Sequence, residues 1–308
     1  MSRIAQPVTP ALLAAVTILW ALACGGGPTG PTATATSDAS NGPATGVAEL
    51  QLALGSSDLS VGENRLTFGL IDAETGPVRD AHVEVSTFRL TSRSPERPVQ
   101  TVVGVFRQWP VAPSGVYTAQ LSFDAAGAWG IGVVATLPDG ATRPGSVRVQ
   151  VNETSMTPAV GAPAPRSRSK TVSDVDGLDE LTTDRRPDPA LYEMTIADAI
   201  DTGKPVMVLF ATPAYCQTAT CGPQIEVVKE LREQFKDRMS FVHVEIYDNP
   251  HEIQGDLTRS IVSPTVKEWN LSSEPWTFIV DSGGLVHAKF EAFTTQEELE
   301  EAILDVLR

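Results

Sequence analysis

Residues 205–235 read PVMVLFATPAYCQTATCGPQIEVVKELREQF, an unbroken apolar run, a loop bounded by two cysteines and an amphipathic segment in direct succession. A continuous apolar run suits a strand covered on both faces, not one with a wet side. The segment behind it repeats apolar residues at Ile225, Val227, Val228, Leu231 and Phe235, a helical stripe that starts from Pro223, a residue suited to a first turn. A buried strand feeding a helix through a short loop demands an α/β layer. It leaves open whether Cys216 and Cys221 are a redox couple, a metal clamp or an inert staple.

The surrounding chain extends the layer. TIADAIDTGK reads as a short amphipathic helix capped by Thr195, FVHVEI as a second strand, and SPTVKEWNL as a short helix with Ser263 before Pro264. WTFIVD and LVHAKFEAF form a hairpin across Ser282-Gly283-Gly284, and TTQEELEEAILDVL is a closing helix with a capping box from Thr294 or Thr295. The order is α-β-α-β-α-β-β-α.

That order, with cysteines between the first strand and its helix, resembles the thioredoxin fold from about Leu191 to the end. The resemblance rests on VMVLFAT, the Cys216/Cys221 pair, the helix behind it, EPWTFIVDSGG and the last helix. It implies a thiol–disulfide oxidoreductase with catalytic Cys216 and Cys221, Pro275 as the family's cis-proline after Glu274, no cofactor, and as partners protein thiol or disulfide clients plus an upstream redox partner. There are departures. Gln217-Thr218-Ala219-Thr220 make four residues between the cysteines instead of two, Tyr215 stands where the family has Trp, and no acid lies near Leu209, where many members bury an aspartate. The text "CGP" at Cys221 imitates the family motif and would make Cys221 the nucleophile, with Gln224 in the place of the second cysteine. The helical phase of Val227, Val228 and Leu231 instead makes Cys216 the attacking thiol and Cys221 the resolving one. A non-catalytic binding module with a structural disulfide is the first alternative. A Sco-like copper chaperone is the second, with His243, His251 and His287 as candidate distant ligands.

Between Val47 and Val151 the period changes to two. AELQLALG, NRLTFGLID, AHVEVSTFR, QTVVGVFR, VYTAQLSF, WGIGVVATL and SVRVQV are seven candidate strands separated by turn residues, the pattern of a β-sandwich. Gly115-Val116-Tyr117 through Phe123, with Ala126-Gly127-Ala128-Trp129, resembles the FixH/YtkA-like immunoglobulin-like domains, in which such strands form a buried core pair. Some relatives are associated with copper, which draws attention to His82, although a lone histidine in an alternating strand reads as structural. Residues 152–189, rich in Pro, Ser and Thr and without an apolar period, read as an interdomain linker. The expected fold class is an all-β immunoglobulin-like sandwich (47–151) followed by an α/β thioredoxin-like domain (190–308), each folding on its own.

Arg3 and ALLAAVTILWALA suit a secretory signal, and Leu22-Ala23-Cys24-Gly25 resembles a bacterial lipobox. The expectation is a signal peptide at 1–23, lipidation of Cys24, a Gly/Pro/Ser/Thr tether at 24–46, and an extracytoplasmic protein held to a membrane by its lipid. A formal net charge of −15 argues against a nucleic-acid footprint. Of three cysteines, lipid would consume Cys24 and leave Cys216 and Cys221 to each other. No G-x-S-x-G, phosphate-cradling glycine loop or H-E-x-x-H motif occurs, so hydrolase and kinase chemistry have no support.

Overall fold

Alternation along the first part of the chain yields β1 (Gln51–Leu54), β2 (Gly62–Asp72), β3 (Gly76–Pro77), β4 (His82–Arg89), β5 (Gln100–Gln108), β6 (Gly115–Phe123), β7 (Gly127–Thr136) and β8 (Thr142–Val151). These come from a computed structural model that describes residues 49–90, 97–109, 115–216 and 219–308. The expected signal peptide, Cys24 and the tether lie outside the described residues. Seven strands coincide with the seven read from the sequence, and β3 is added as a two-residue pairing to the end of β2.

The strand order is β1-β2-β6-β5-β4-β7-β8. β5 turns the corner: residues up to Gly104 pair with β4, whereas Val105–Gln108 pair with β6. The two ends approach where Leu50 bridges Gly145 of β8. A Cβ at Gly145 would sit 2.6 Å from the Leu50 carbonyl, so the approach requires glycine. Inside lie Leu66, Phe68, Leu121, Val85 and Ile131. Tyr117 and Trp129, the expected core aromatics, are each 1 % exposed. Tyr117 stacks on Phe68 at 5.8 Å and accepts a hydrogen bond from Ala81 N–H, and Trp129 meets Phe123 edge-on at 5.0 Å.

The second part contains α1 (Ile196–Asp201), β9 (Val206–Ala211), α2 (Cys221–Phe235), β10 (Ser240–Glu245), α3 (Pro250–Ile253), α4 (Pro264–Glu268), β11 (Trp276–Val280), β12 (Val286–Glu291) and α5 (Gln296–Val306). This is the expected order with one short helix, α3, inserted. The sheet order is β10-β9-β11-β12, with β10 parallel to β9 and the other neighbours antiparallel. β9 is buried on both sides: Met207, Leu209 and Ala211 face one core, and Val206, Val208 and Phe210 the other. α2 buries Ile225, Val228, Leu231 and Phe235, while Val227 is only partly covered. Thr195 caps α1, and Thr295, not Thr294, forms the capping box with Glu298. The hairpin turn is closed by Asp281, whose Oδ1 accepts from Gly283 and Leu285 N–H.

Residues 152–189 are not a free connector. Pro163 bridges Leu285, Ala164 N–H donates to Gly284 O, Ser167 Oγ accepts from the Trp269 indole at 2.9 Å, and Leu181 enters the core beside Leu191. Irregular backbone satisfied by individual hydrogen bonds needs no apolar period, which is why its composition resembled a linker. The described residues belong to one compact unit spanning Gly46–Arg308, and within it the two parts of the chain meet along a bonded seam. Arg65 Nε lies 3.0 Å from Glu298 Oε1, and Ser57 N–H donates to Glu291 at 2.6 Å. Lys289 Nζ reaches Asp58, Ser155 and Thr157. Burial alone would raise the Asp58 carboxyl, but hydrogen bonds from Ser155, Met156 N–H and Thr157, with the Lys289 charge, hold it down at about 2.

Candidate functional site

The site lies where β9 ends. Thr212 through Tyr215 leave the sheet, and Cys216 and Cys221 are joined as a disulfide with Cα atoms 5.9 Å apart. Of the four spacer residues, Gln217 and Thr218 lie outside the described residues. Ala219 turns the chain back with φ +58° and donates its N–H to Cys216 O, and Thr220 is buried. Cys221 opens α2, is fully buried, and donates its backbone N–H to Cys216 Sγ at 3.3 Å; Cys216 itself is partly exposed. The first N–H groups of a helix have no intrahelical partner and carry its positive end, so this contact stabilises negative charge on the Cys216 sulfur.

The Glu274–Pro275 peptide is cis. Trp276 stands opposite Phe210 in the antiparallel register, which carries Pro275 alongside Ala211 as β9 gives way to the cysteine loop. Pro275 O accepts from Ala292 N–H at 3.0 Å, and Ala292 and Thr220 line one end of an open cleft of about 410 Å³. The other walls of that cleft come from the β-rich part, among them Leu54, Gly69, Val78 and Trp109. Gln224, where the "CGP" alignment would place a second cysteine, is fully buried and accepts from Thr294 N–H at 2.7 Å, tying α2 to the chain before α5. Tyr215, directly before Cys216, receives Gly255 N–H on its hydroxyl and packs edge-on to Tyr247.

The histidines are dispersed. His82 is exposed at the start of β4. His251 lies in α3 and borders an open cleft with Ala214 and Tyr215, and His287 Nε2 is 3.0 Å from Asp305. His243 is buried, its Nδ1 2.7 Å from the Tyr192 hydroxyl and its Nε2 3.2 Å from Ala211 O. A carbonyl can only accept, so Nε2 carries the proton and Nδ1 receives the tyrosine's. Burial holds this imidazole down at about 4, so it is neutral at physiological pH. Among the described residues no group of three or more His, Cys, Asp or Glu side chains is placed to hold a metal ion.

Leu209 is fully buried and no acid accompanies it on β9, but a buried acid stands on the neighbouring strand. Glu245, opposite Ala211, is 5 % exposed, and its Oε2 accepts from Thr183 N–H at 2.8 Å and Thr183 Oγ1 at 2.9 Å. Burial pushes its carboxyl up to about 7 despite those bonds. Sequence reasoning passed over it. The signal was a glutamate near the end of FVHVEI, in a strand that is buried throughout.

No protein-family model and no curated protein matches the chain. Solved structures do. A protein from Chlorobium tepidum assigned as a thiol:disulfide interchange protein of the DsbE kind is 17 % identical over 49 % of this chain and 100 % of its own, with a TM-score of 0.37. StoA from Bacillus subtilis is 18 % identical over 33 % of this chain and 83 % of its own, with a TM-score of 0.27. The fibronectin type-III domain of human fibronectin type III domain containing protein 3 is 12 % identical over 37 % of this chain and 94 % of its own, with a TM-score of 0.23.

Proposed function

We propose that the chain is a membrane-anchored, extracytoplasmic thiol–disulfide oxidoreductase acting on protein disulfides, with Cys216 attacking, Cys221 resolving and Pro275 bordering the client's place. The observation that carries this reading is the disulfide at the end of β9, with a partly exposed Cys216 whose Sγ accepts the first N–H of α2 and a fully buried Cys221. In the reducing direction the Cys216 thiolate attacks one sulfur of a client disulfide. The Cys216–client bond forms as the client S–S bond breaks, and the departing client sulfur takes a proton. Cys221, having given up its own proton, then attacks Cys216 Sγ; the internal disulfide re-forms and the second client thiolate leaves. Two electrons have passed from the cysteine pair to the client, and an upstream dithiol partner restores the pair by the same exchange. Oxidation of a client runs these steps backwards.

In this reading residues 1–23 are a signal peptide, Cys24 carries lipid, 24–46 is a tether, 47–151 is an immunoglobulin-like sandwich, 152–189 connects, and 190–308 is the thioredoxin-like domain. Among the described residues no helix is long and apolar enough to cross a membrane.

The test is trapping. Cys221→Ser leaves mixed disulfides that run as high-mass, reductant-sensitive species, whereas Cys216→Ser traps none, and the wild-type pair has a two-electron potential of roughly −120 to −270 mV. Trapping only by Cys216→Ser would reassign the nucleophile to Cys221. A pair that resists reduction below about −300 mV, with no trapped client in either variant, would make it a staple.

A further inference from the structure

His243 and Glu245 are alternate residues of β10, so both project to one side of it, and both hold the segment that leads from β9 to Cys216. His243 Nε2–H is bonded to Ala211 O. Glu245 meets the stretch at Thr212, whose hydroxyl favours its charged form, and reaches Ala214 one residue removed: Thr183 Oγ1 gives its hydrogen to Glu245 Oε2 and accepts Ala214 N–H at 3.0 Å. A hydroxyl has a single hydrogen, so while the carboxylate takes it, an oxygen lone pair is left to receive Ala214. Ala211 and Ala214 are the two ends of the stretch that delivers Tyr215 and Cys216.

We infer that Glu245 is a positioning residue that, through Thr183, clamps the cysteine loop and makes the reactivity of the Cys216–Cys221 disulfide depend on pH. The inference rests on the reading of this pair as a redox couple. A hydrogen bond to an ionised acceptor is roughly twice as strong as one to a neutral acceptor, so the loop is held more firmly when Glu245 is charged. The negative charge also opposes an approaching thiolate, and both effects slow attack on the disulfide as Glu245 ionises. Glu245 borders a cavity of about 250 Å³ through which it can exchange its proton, shared with Tyr192, His243, Tyr247, Arg168, Lys170, Glu180 and Asp248. The paired charges of Asp184 and Lys229 also act on His243, in opposite directions. Burial moves His243 down to about 4 and raises both tyrosines, whereas Glu245 is moved to about 7, which leaves it to change charge near neutrality.

The experiment follows reduction of the full-length protein's disulfide by dithiothreitol on either side of pH 7, with rates divided by the reagent's thiolate concentration. In wild type the normalised rate falls about fivefold as pH rises through the Glu245 transition. Glu245→Gln, whose amide oxygen still accepts from Thr183 but never ionises, is flat at the wild-type low-pH rate. Thr183→Val, which keeps the backbone bond to Glu245 but breaks the link to Ala214, leaves only the smaller part of the step that the Glu245 charge itself supplies, and Thr183→Ser restores the full step. An unchanged step in Thr183→Val, or none in wild type, overturns the clamp while leaving the redox reading intact. A disulfide that dithiothreitol does not reduce at any pH overturns the redox reading and the clamp with it.

Discussion

Arg65 of β2 and Glu298 of α5 are joined by a buried ion pair, with 6 % and 8 % of their side chains exposed. The same guanidinium donates to Thr67, Glu291 O and Phe293 O, and Glu298 also closes the capping box of α5. The helix start and the seam between the two halves of the chain thus share one carboxylate. Because Phe293 and Glu291 flank Ala292, the seam also fixes the strand end that borders the cysteine cleft.

Arg65→Ala should therefore cost far more than a surface ion pair would. Removing one partner of a buried pair typically costs about 3–5 kcal/mol because the other charge is left uncompensated, and Arg107, 3.6 Å from Glu298, offsets part of that cost here. Urea unfolding of wild type should follow a single cooperative transition, and the variant should lose stability towards the lower end of this range. A loss below about 1 kcal/mol would place the pair among solvated surface contacts.

Glu245 and His243 should give opposing pH dependences of stability. Glu245 has its folded-state carboxyl raised from 4.5 to about 7, so the folded state binds the extra proton between those values. Its contribution is complete below the unfolded value and is lost as pH rises towards 7, by about 3 kcal/mol. His243 is lowered from 6.5 to about 4, so its contribution is complete above the unfolded value and is lost as pH falls through that window. Glu245→Gln should remove the loss on raising pH and leave a protein that gains stability from about pH 4 to 6.5. Chemical denaturation at pH 5 and pH 7.5 checks this. A variant whose stability changes with pH as wild type does would mean that Glu245 titrates as an exposed carboxylate.

Cys24→Ala should release the protein from membranes into the soluble extracytoplasmic fraction. Fractionation checks this, and a variant that stays membrane-bound with residues 1–23 still attached would defeat the lipid-anchor proposal.

The sequence by itself determined what short-range physics controls. Period two over 47–151 located seven strands, the unbroken PVMVLFA run located the strand buried on both faces, and Thr195, the Thr294-Thr295 pair and Ser282-Gly283-Gly284 marked two caps and a turn. Each is set by residues within one turn or one hairpin, so the signal is contained in the local text. The placement of two cysteines between a buried strand and its helix was legible for the same reason. Only the tertiary structure decided what depends on partners far apart in the chain. Arg65 meets Glu298 across 233 positions, Glu245 reaches the cysteine loop through Thr183 62 positions earlier, and Ser167 finds the Trp269 indole 102 positions away. A charged or hydroxyl side chain has the same local pattern whether it is solvated or buried, since burial is settled by which distant group supplies its hydrogen bonds. For that reason residues 152–189 looked like a linker and Glu245 like an ordinary strand residue until the chain was folded around them.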